Sequence, residues 1–162
     1  MGLLDGKNKN GHYNMPMLYA SGIPDWPDGL NVTVTADTDA RSVIIQKQLS
    51  KDEPKRLSAD KITAVILTTE TEIKEKSKSV GGRAVIGGVL LGPVGAIVGG
   101  MSGLGKKEIK KDRTVLIINY TSGGEDKVLT FHLLGAAPNH PVAVNLVSAI
   151  KNMSPVNTSN EL

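Results

Sequence analysis

The stretch whose spacing comes nearest to chemistry is Gly100-Met101-Ser102-Gly103-Leu104-Gly105-Lys106-Lys107. A phosphate-binding loop reads GxxxxGK[ST]: backbone N–H groups and the lysine hold phosphates, and the last hydroxyl holds Mg²⁺. Lys107 stands where that hydroxyl belongs, and no parallel βαβ setting surrounds the run, so no nucleotide is expected. His12, His132 and His140 fall on an arm, a strand and a helix start, without metal-ligand spacing, so neither metal nor cofactor is expected. Cysteine is absent, which removes thiolate sites and disulfides. No serine sits in a GxSxG elbow. Asp25, Asp28, Asp37 and Asp39 cluster in turn-forming sequence, where their side chains favour the turns themselves. No catalytic residue emerges, and the chain reads as a non-enzyme.

What does stand out is Ala84 to Gly105, AVIGGVLLGPVGAIVGGMSGLG, twenty-two residues without a charge, eight of them Gly. Small residues recur every fourth position in two rows. One holds Ala84, Gly88, Gly92, Ala96 and Gly100; the other holds Gly95, Gly99 and Gly103. On a helix that spacing stacks notches on one face and lets another backbone approach closely, in a membrane or in an oligomer. Basic residues flank this glycine zipper on both sides: Lys74, Lys76, Lys78 and Arg83 before it, Lys106, Lys107, Lys110, Lys111 and Arg113 after it. Acidic residues dilute them and no aromatics interleave, so there is no stacking platform for nucleic acid.

The elements that must carry this segment are mostly strands. From Leu30, apolar Leu30, Val32, Val34 and Ala36 alternate with Asn31, Thr33 and Thr35, a half-buried strand. Arg41 to Gln48 pairs back across the turn at Asp37–Ala40, and a short strand is expected at Lys55–Ser58. Lys61 to Lys76 is β-branched through most of its length and predicts one long strand, or two with a bend. Arg113–Tyr120 and Lys127–Leu134 flank a Gly123-Gly124 turn, with Leu129, Phe131 and Leu133 inward and Val128, Thr130 and His132 outward. Asn31-Val32-Thr33 and Asn119-Tyr120-Thr121 match glycosylation acceptors but read as strand residues, since no secretory signal opens the chain. Pro141 opens a helix behind Asn139 as its cap, with Val142, Leu146, Ala149, Ile150 and Met153 on one stripe. Trp26, between Asp25 and Pro27, covers one end of the sheet or anchors an interface.

Six or seven antiparallel strands followed by one amphipathic helix resemble a bacterial pleckstrin-homology-like (PH-like) domain. The block EIKEKSKSVGGRAVIGGVLLGPVGAIVGGMSGLGKK, followed by TVLIINY, is similar to a block in a group of proteins from Gram-positive bacteria and their phages. In that group such a block interrupts a PH-like domain. The resemblance implies a mainly β fold: a bent antiparallel sheet or partly open barrel, one C-terminal helix, and a zipper insertion between strands. The expected division is a flexible arm over 1–13, a PH-like domain over 14–154 interrupted at 81–106, and a flexible tail over 155–162.

Twenty-two helical residues reach about 33 Å, enough for a hydrocarbon core of about 30 Å. Both neighbours of the insertion are strands of one domain, so it must leave and return on the same side. Gly92-Pro93 would break it into helical arms of about 13 and 18 Å, a hairpin that dips into a leaflet or packs against copies of itself. The zipper residues Ala84, Gly88, Gly92, Pro93, Gly95, Ala96, Gly99, Gly100 and Gly103 are thus the expected insertion or oligomer surface. Lys76, Lys78, Arg83, Lys106, Lys107, Lys110, Lys111 and Arg113 are the expected headgroup contacts. This gives a membrane-associated protein at the cytoplasmic face of the cell membrane, with lipid, a second copy or another protein as partner. The alternatives are a soluble homo-oligomeric interaction module, connected with phage or host defence, and a pore-forming effector. A soluble packing of the segment on its own domain also stays open, because eight glycines at about 1 kcal/mol each oppose an isolated helix.

Overall fold

Alternation and β-branching produce one seven-stranded antiparallel sheet in the computed structural model, which describes residues 6–78, 85–86, 89–91, 112–133 and 135–158. In chain order the elements are β1 (Tyr13–Ser21), β2 (Asn31–Asp37), β3 (Ser42–Lys47), β4 (Lys55–Ser58), β5 (Ile62–Thr69), helix α1 (Glu70–Lys78), the short β6 (Val85–Ile86) and β7 (Val89–Leu90), β8 (Thr114–Ser122), β9 (Glu125–Leu133) and helix α2 (Pro141–Met153). The large sheet runs β4-β3-β2-β1-β9-β8-β5, and β6 and β7 form a separate two-stranded ladder.

β4 and β5 lie at opposite edges of the sheet, yet only a 3-10 turn, Ala59–Lys61, joins them. Three residues span at most about 10 Å. The sheet must therefore curl until its two edges meet. Into its concave side α2 sets Ala143, Leu146, Val147, Ala149, Ile150 and Met153, against Met17, Val34, Ile45, Leu116, Ile118 and Phe131. Each large side chain buried there contributes about 1.5–3 kcal/mol. Pro141 begins the helix as predicted, but His140 caps it instead of Asn139: Nδ1 accepts from Val142 N at 3.3 Å.

One expectation fails locally. Lys61–Lys76 is not strand throughout; β5 ends at Thr69 and α1 follows. The switch comes at ETEIKEKSK, where charged residues separate the last β-branched ones and the freed N–H groups find acceptors. Thr69 Oγ1 accepts from Glu72 N at 3.2 Å and Asp112 Oδ1 from Thr71 N at 3.0 Å. Glu70 and Glu72 also place negative charge in the first turn. Within the expected arm, Gly6 O accepts from Asn14 N at 2.7 Å, and Lys7 pairs with Tyr13 in an isolated β-bridge. Of the expected tail, residues 155–158 form a 3-10 turn.

Candidate functional site: the outer face of the sheet and the root of the insertion

In β8 the residues from Thr114 to Asn119 are buried without interruption, the mark of a strand covered on both faces. Leu116 and Ile118 enter the main core; Val115 and Ile117 face the other way. There they meet Ile73 of α1 with Val89 and Leu91 of the insertion, bordered by Ala64, Ile66 and Val128. Thr130 and His132 point outward as predicted, but this layer leaves both with 0% exposure.

Polar contacts rim the layer. Glu70 Oε1 lies 2.8 Å from Arg113 Nε and 3.1 Å from His132 Nε2. Thr68 Oγ1 donates to Glu72 Oε2 at 2.6 Å, and the Ser21 and Thr130 hydroxyls meet at 2.6 Å. Towards the other end of β8, Asn119 is 3% exposed and grips the insertion by its backbone. Leu90 N donates to Asn119 Oδ1 at 2.6 Å, and Asn119 Nδ2 donates to Leu90 O at 2.9 Å. One side-chain amide thus satisfies both backbone groups of Leu90, as a neighbouring strand would. The sequence placed Asn119 in a strand, as part of a glycosylation-acceptor match, without revealing this contact. The signal was an amide following a strand apolar on both faces.

The first helical arm expected over Ala84–Gly92 is corrected where it is described. Val85 pairs with Leu90 and Ile86 with Val89 in an antiparallel ladder. Val85, Ile86 and Val89 are β-branched, the helix penalty of nearby glycines is avoided, and Asn119 supplies the missing partners of Leu90. Ala84, Gly88, Gly92, Pro93, Gly95, Ala96, Gly99, Gly100 and Gly103 lie outside the described residues, as do Arg83, Lys106, Lys107, Lys110 and Lys111. Lys76 is exposed on α1, and Lys78 ends that helix. Arg113 is committed to Glu70 and only 31% exposed, which sets it apart from the expected headgroup contacts. On either side of residues 92–111 stand Leu91, next to the residue that Asn119 grips, and Asp112, bonded to α1. Seven residues of strand separate these levels, about 20 Å along the outer face.

The far end of the sheet is built differently. Trp26 stacks edge-on against Tyr19 with ring centroids 5.5 Å apart, and the Lys47 ammonium lies 4.8 Å from its ring centre. Tyr19 Oη accepts from Ile23 N at 2.6 Å and donates to Ile23 O at 3.0 Å; burial pushes its pKa up against the opposing pull of the Ile23 hydrogen bond. Trp26 therefore closes this end of the core. The β1–β2 loop carries Asp25 and Asp28, the β8–β9 turn Glu125 and Asp126, and the β3–β4 loop Lys51, Asp52 and Glu53. This is not a basic surface. An open cleft of about 540 Å³ lies between the insertion root and the β8–β9 turn, with Leu90, Leu91 and Val128 beside Glu125 and Asp126.

His12, Asp37 and Asp39 form the one group of His and carboxylate ligand atoms within 4.8 Å of one another among the described residues. His12 Nε2 lies 3.3 Å from Asp37 Oδ1 and 3.0 Å from Asp39 Oδ2, while Asp37 Oδ1 accepts from Ala40 N at 3.0 Å. These contacts clip the loop before β1 onto the β2–β3 turn. Among the described residues no helix is long and apolar enough to cross a membrane.

A curled antiparallel sheet filled by a C-terminal helix is the architecture of a PH-like domain, here with a second layer laid on the outer face by an insertion between β5 and β8. The chain matches the family of glycine-zipper-containing PH domains over residues 26–123, more than half its length, and belongs to that family. No curated protein and no solved structure matches it.

Proposed function

We propose that this protein is a non-enzymatic, membrane-associated PH-like scaffold that holds its glycine zipper against lipid on the cytoplasmic side of the membrane. One observation carries this reading: the sequence that holds the uncharged stretch and its basic flank is held at Leu90 before residues 92–111 and at Asp112 after them, on the same face of a folded domain. That arrangement suits a segment that enters a leaflet and returns. Exposed lysines near an anionic surface add about 1 kcal/mol each, lost as salt rises. Lys106, Lys107, Lys110 and Lys111 are best placed in the sequence for that role, with Lys76, Lys78 and Arg83 before the zipper.

Liposome flotation tests this directly. The deletion must begin at Gly92, because Val89 and Leu91 complete the outer layer. Replacing residues 92–111 with about 12 Gly/Ser residues spans the 20 Å gap at the root-mean-square length of a flexible linker. Wild type is expected to float with anionic vesicles in low salt and the replacement to stay in the soluble fraction. Equal flotation of the two overturns the reading. The small-residue rows also favour self-packing, which predicts a discrete oligomer without detergent by light scattering; dye release from vesicles distinguishes a pore from an anchor.

A further inference from the structure

We propose that Asn119 is a latch: its grip on Leu90 stows the first part of the insertion on the sheet, and its release sets how much of the chain reaches the membrane. The second half of this statement rests on the membrane reading above; the first does not.

Ladder β6–β7 has two residues in each strand, too short to persist unaided. Its hold on the domain comes from the paired hydrogen bonds between Asn119 and Leu90 and from the burial of Val89 and Leu91. The layer they complete is small. Among the described residues five buried side chains form it, against twenty-three in the main core, so it opens locally at lower cost than the domain unfolds. Opening exposes an apolar strip of Val115 and Ile117 on a sheet otherwise left intact.

The consequence is one of length. With Val85–Ile86 and Val89–Leu91 stowed, the uncharged sequence that follows them is Gly92 to Gly105, fourteen residues. As a hairpin that returns to the same side, it has arms of about 10 Å. Released, the run from Ala84 allows arms of about 13 and 18 Å, still within a hydrocarbon core of about 30 Å. The same sequence thus reaches less far when latched and deeper into a leaflet when free.

The test compares wild type with Asn119→Leu, an apolar side chain of similar size that removes both hydrogen bonds, and with Leu90→Pro, which removes the Leu90 N–H and leaves β8 unchanged. Amide hydrogen exchange without vesicles reads the latch; flotation with anionic vesicles reads its consequence. Both variants are expected to exchange about ten- to hundredfold faster at Val89 and Leu91, and Asn119→Leu also at Leu90. Protection of Leu116 and Ile118 should hold, showing that the sheet remains folded, and vesicle binding should rise. Unchanged exchange at Val89 and Leu91 in Leu90→Pro, where the sheet is untouched, overturns the latch. Faster exchange with unchanged flotation, in a protein whose wild type floats, overturns the link to the membrane. If wild type does not float but exchange responds, the membrane reading fails, the proposed consequence falls with it, and the docking contact stands.

Discussion

Truncating Ile73 tests whether α1 and the insertion root are a true layer of this domain or a loose cover. Ile73 has 0% exposure and stands over Val115 and Ile117. Ile→Ala in a core costs about 2–5 kcal/mol, the transfer of the lost carbons plus the cavity left behind. The layer is thin and can partly collapse, so the lower part of that range applies, about 2–3 kcal/mol. For a chain of this size each kcal/mol moves the midpoint by about 2–4 °C, so Ile73→Ala should melt about 4–12 °C below wild type. Circular dichroism melts supply the midpoint, and urea titration checks that the slope is unchanged. Glu75→Ala, exposed on the same helix, should stay within about 0.5 kcal/mol and controls for helix propensity. A midpoint within 1 °C of wild type for Ile73→Ala, with Ile117→Ala strongly destabilised, would refute the two-layer description.

Two further outcomes follow from local geometry. Gly22 has φ +117°, and a Cβ there would lie 2.2 Å from Val128 O, so Gly22→Ala should lose at least about 1–3 kcal/mol in urea titration. Gly29→Ala, at φ +85° with nothing within 4 Å, suffers backbone strain alone and should lose less; equal losses would remove the β9 contact from the explanation. Burial raises the pKa of both Tyr19 and Tyr120 above 10.0, so the folded chain holds these protons more tightly than the unfolded one. Their contribution is complete below pH 10 and disappears as pH climbs through the raised values. Melting midpoints should therefore fall above that pH, and less steeply in Tyr120→Phe; parallel curves would show that Tyr120 carries none of the loss.

Much of the frame could be read from local pattern. Leu30–Ala36 alternates, Gly123-Gly124 separates two apolar runs, and Val142, Leu146, Ile150 and Met153 form a stripe behind Pro141; each became the expected element. The failures share a physical cause. At Glu70 the β-branched pattern continues through Thr71 and Ile73, and what turns the chain into helix includes Asp112, forty-one residues away. Residues 84–92 carry both a helical repeat of small residues and a set of β-branched ones; the choice falls to the amide of Asn119 on another strand. Leu129, Phe131 and Leu133 entered the core as expected. The burial of Thr130 and His132 could not be foreseen, because period-two alternation says which side of a sheet a residue takes but not whether that side is covered. His12 meets Asp37 and Asp39 only through the fold.

The three-residue link between the first and last strands of the sheet has an effect on how copies of this protein meet. Strand borders left open are templates for uncontrolled stacking, a hazard that grows as molecules crowd on a surface. Here one border is the four-residue β4, preceded by Pro54 and bearing exposed Lys55 and Arg56, and the other, β5, packs against α2 and the 155–158 turn. Neighbouring molecules brought to high density therefore find little unpaired backbone to extend. Assembly by extension of the sheet from one molecule into the next is thus disfavoured at both of its borders.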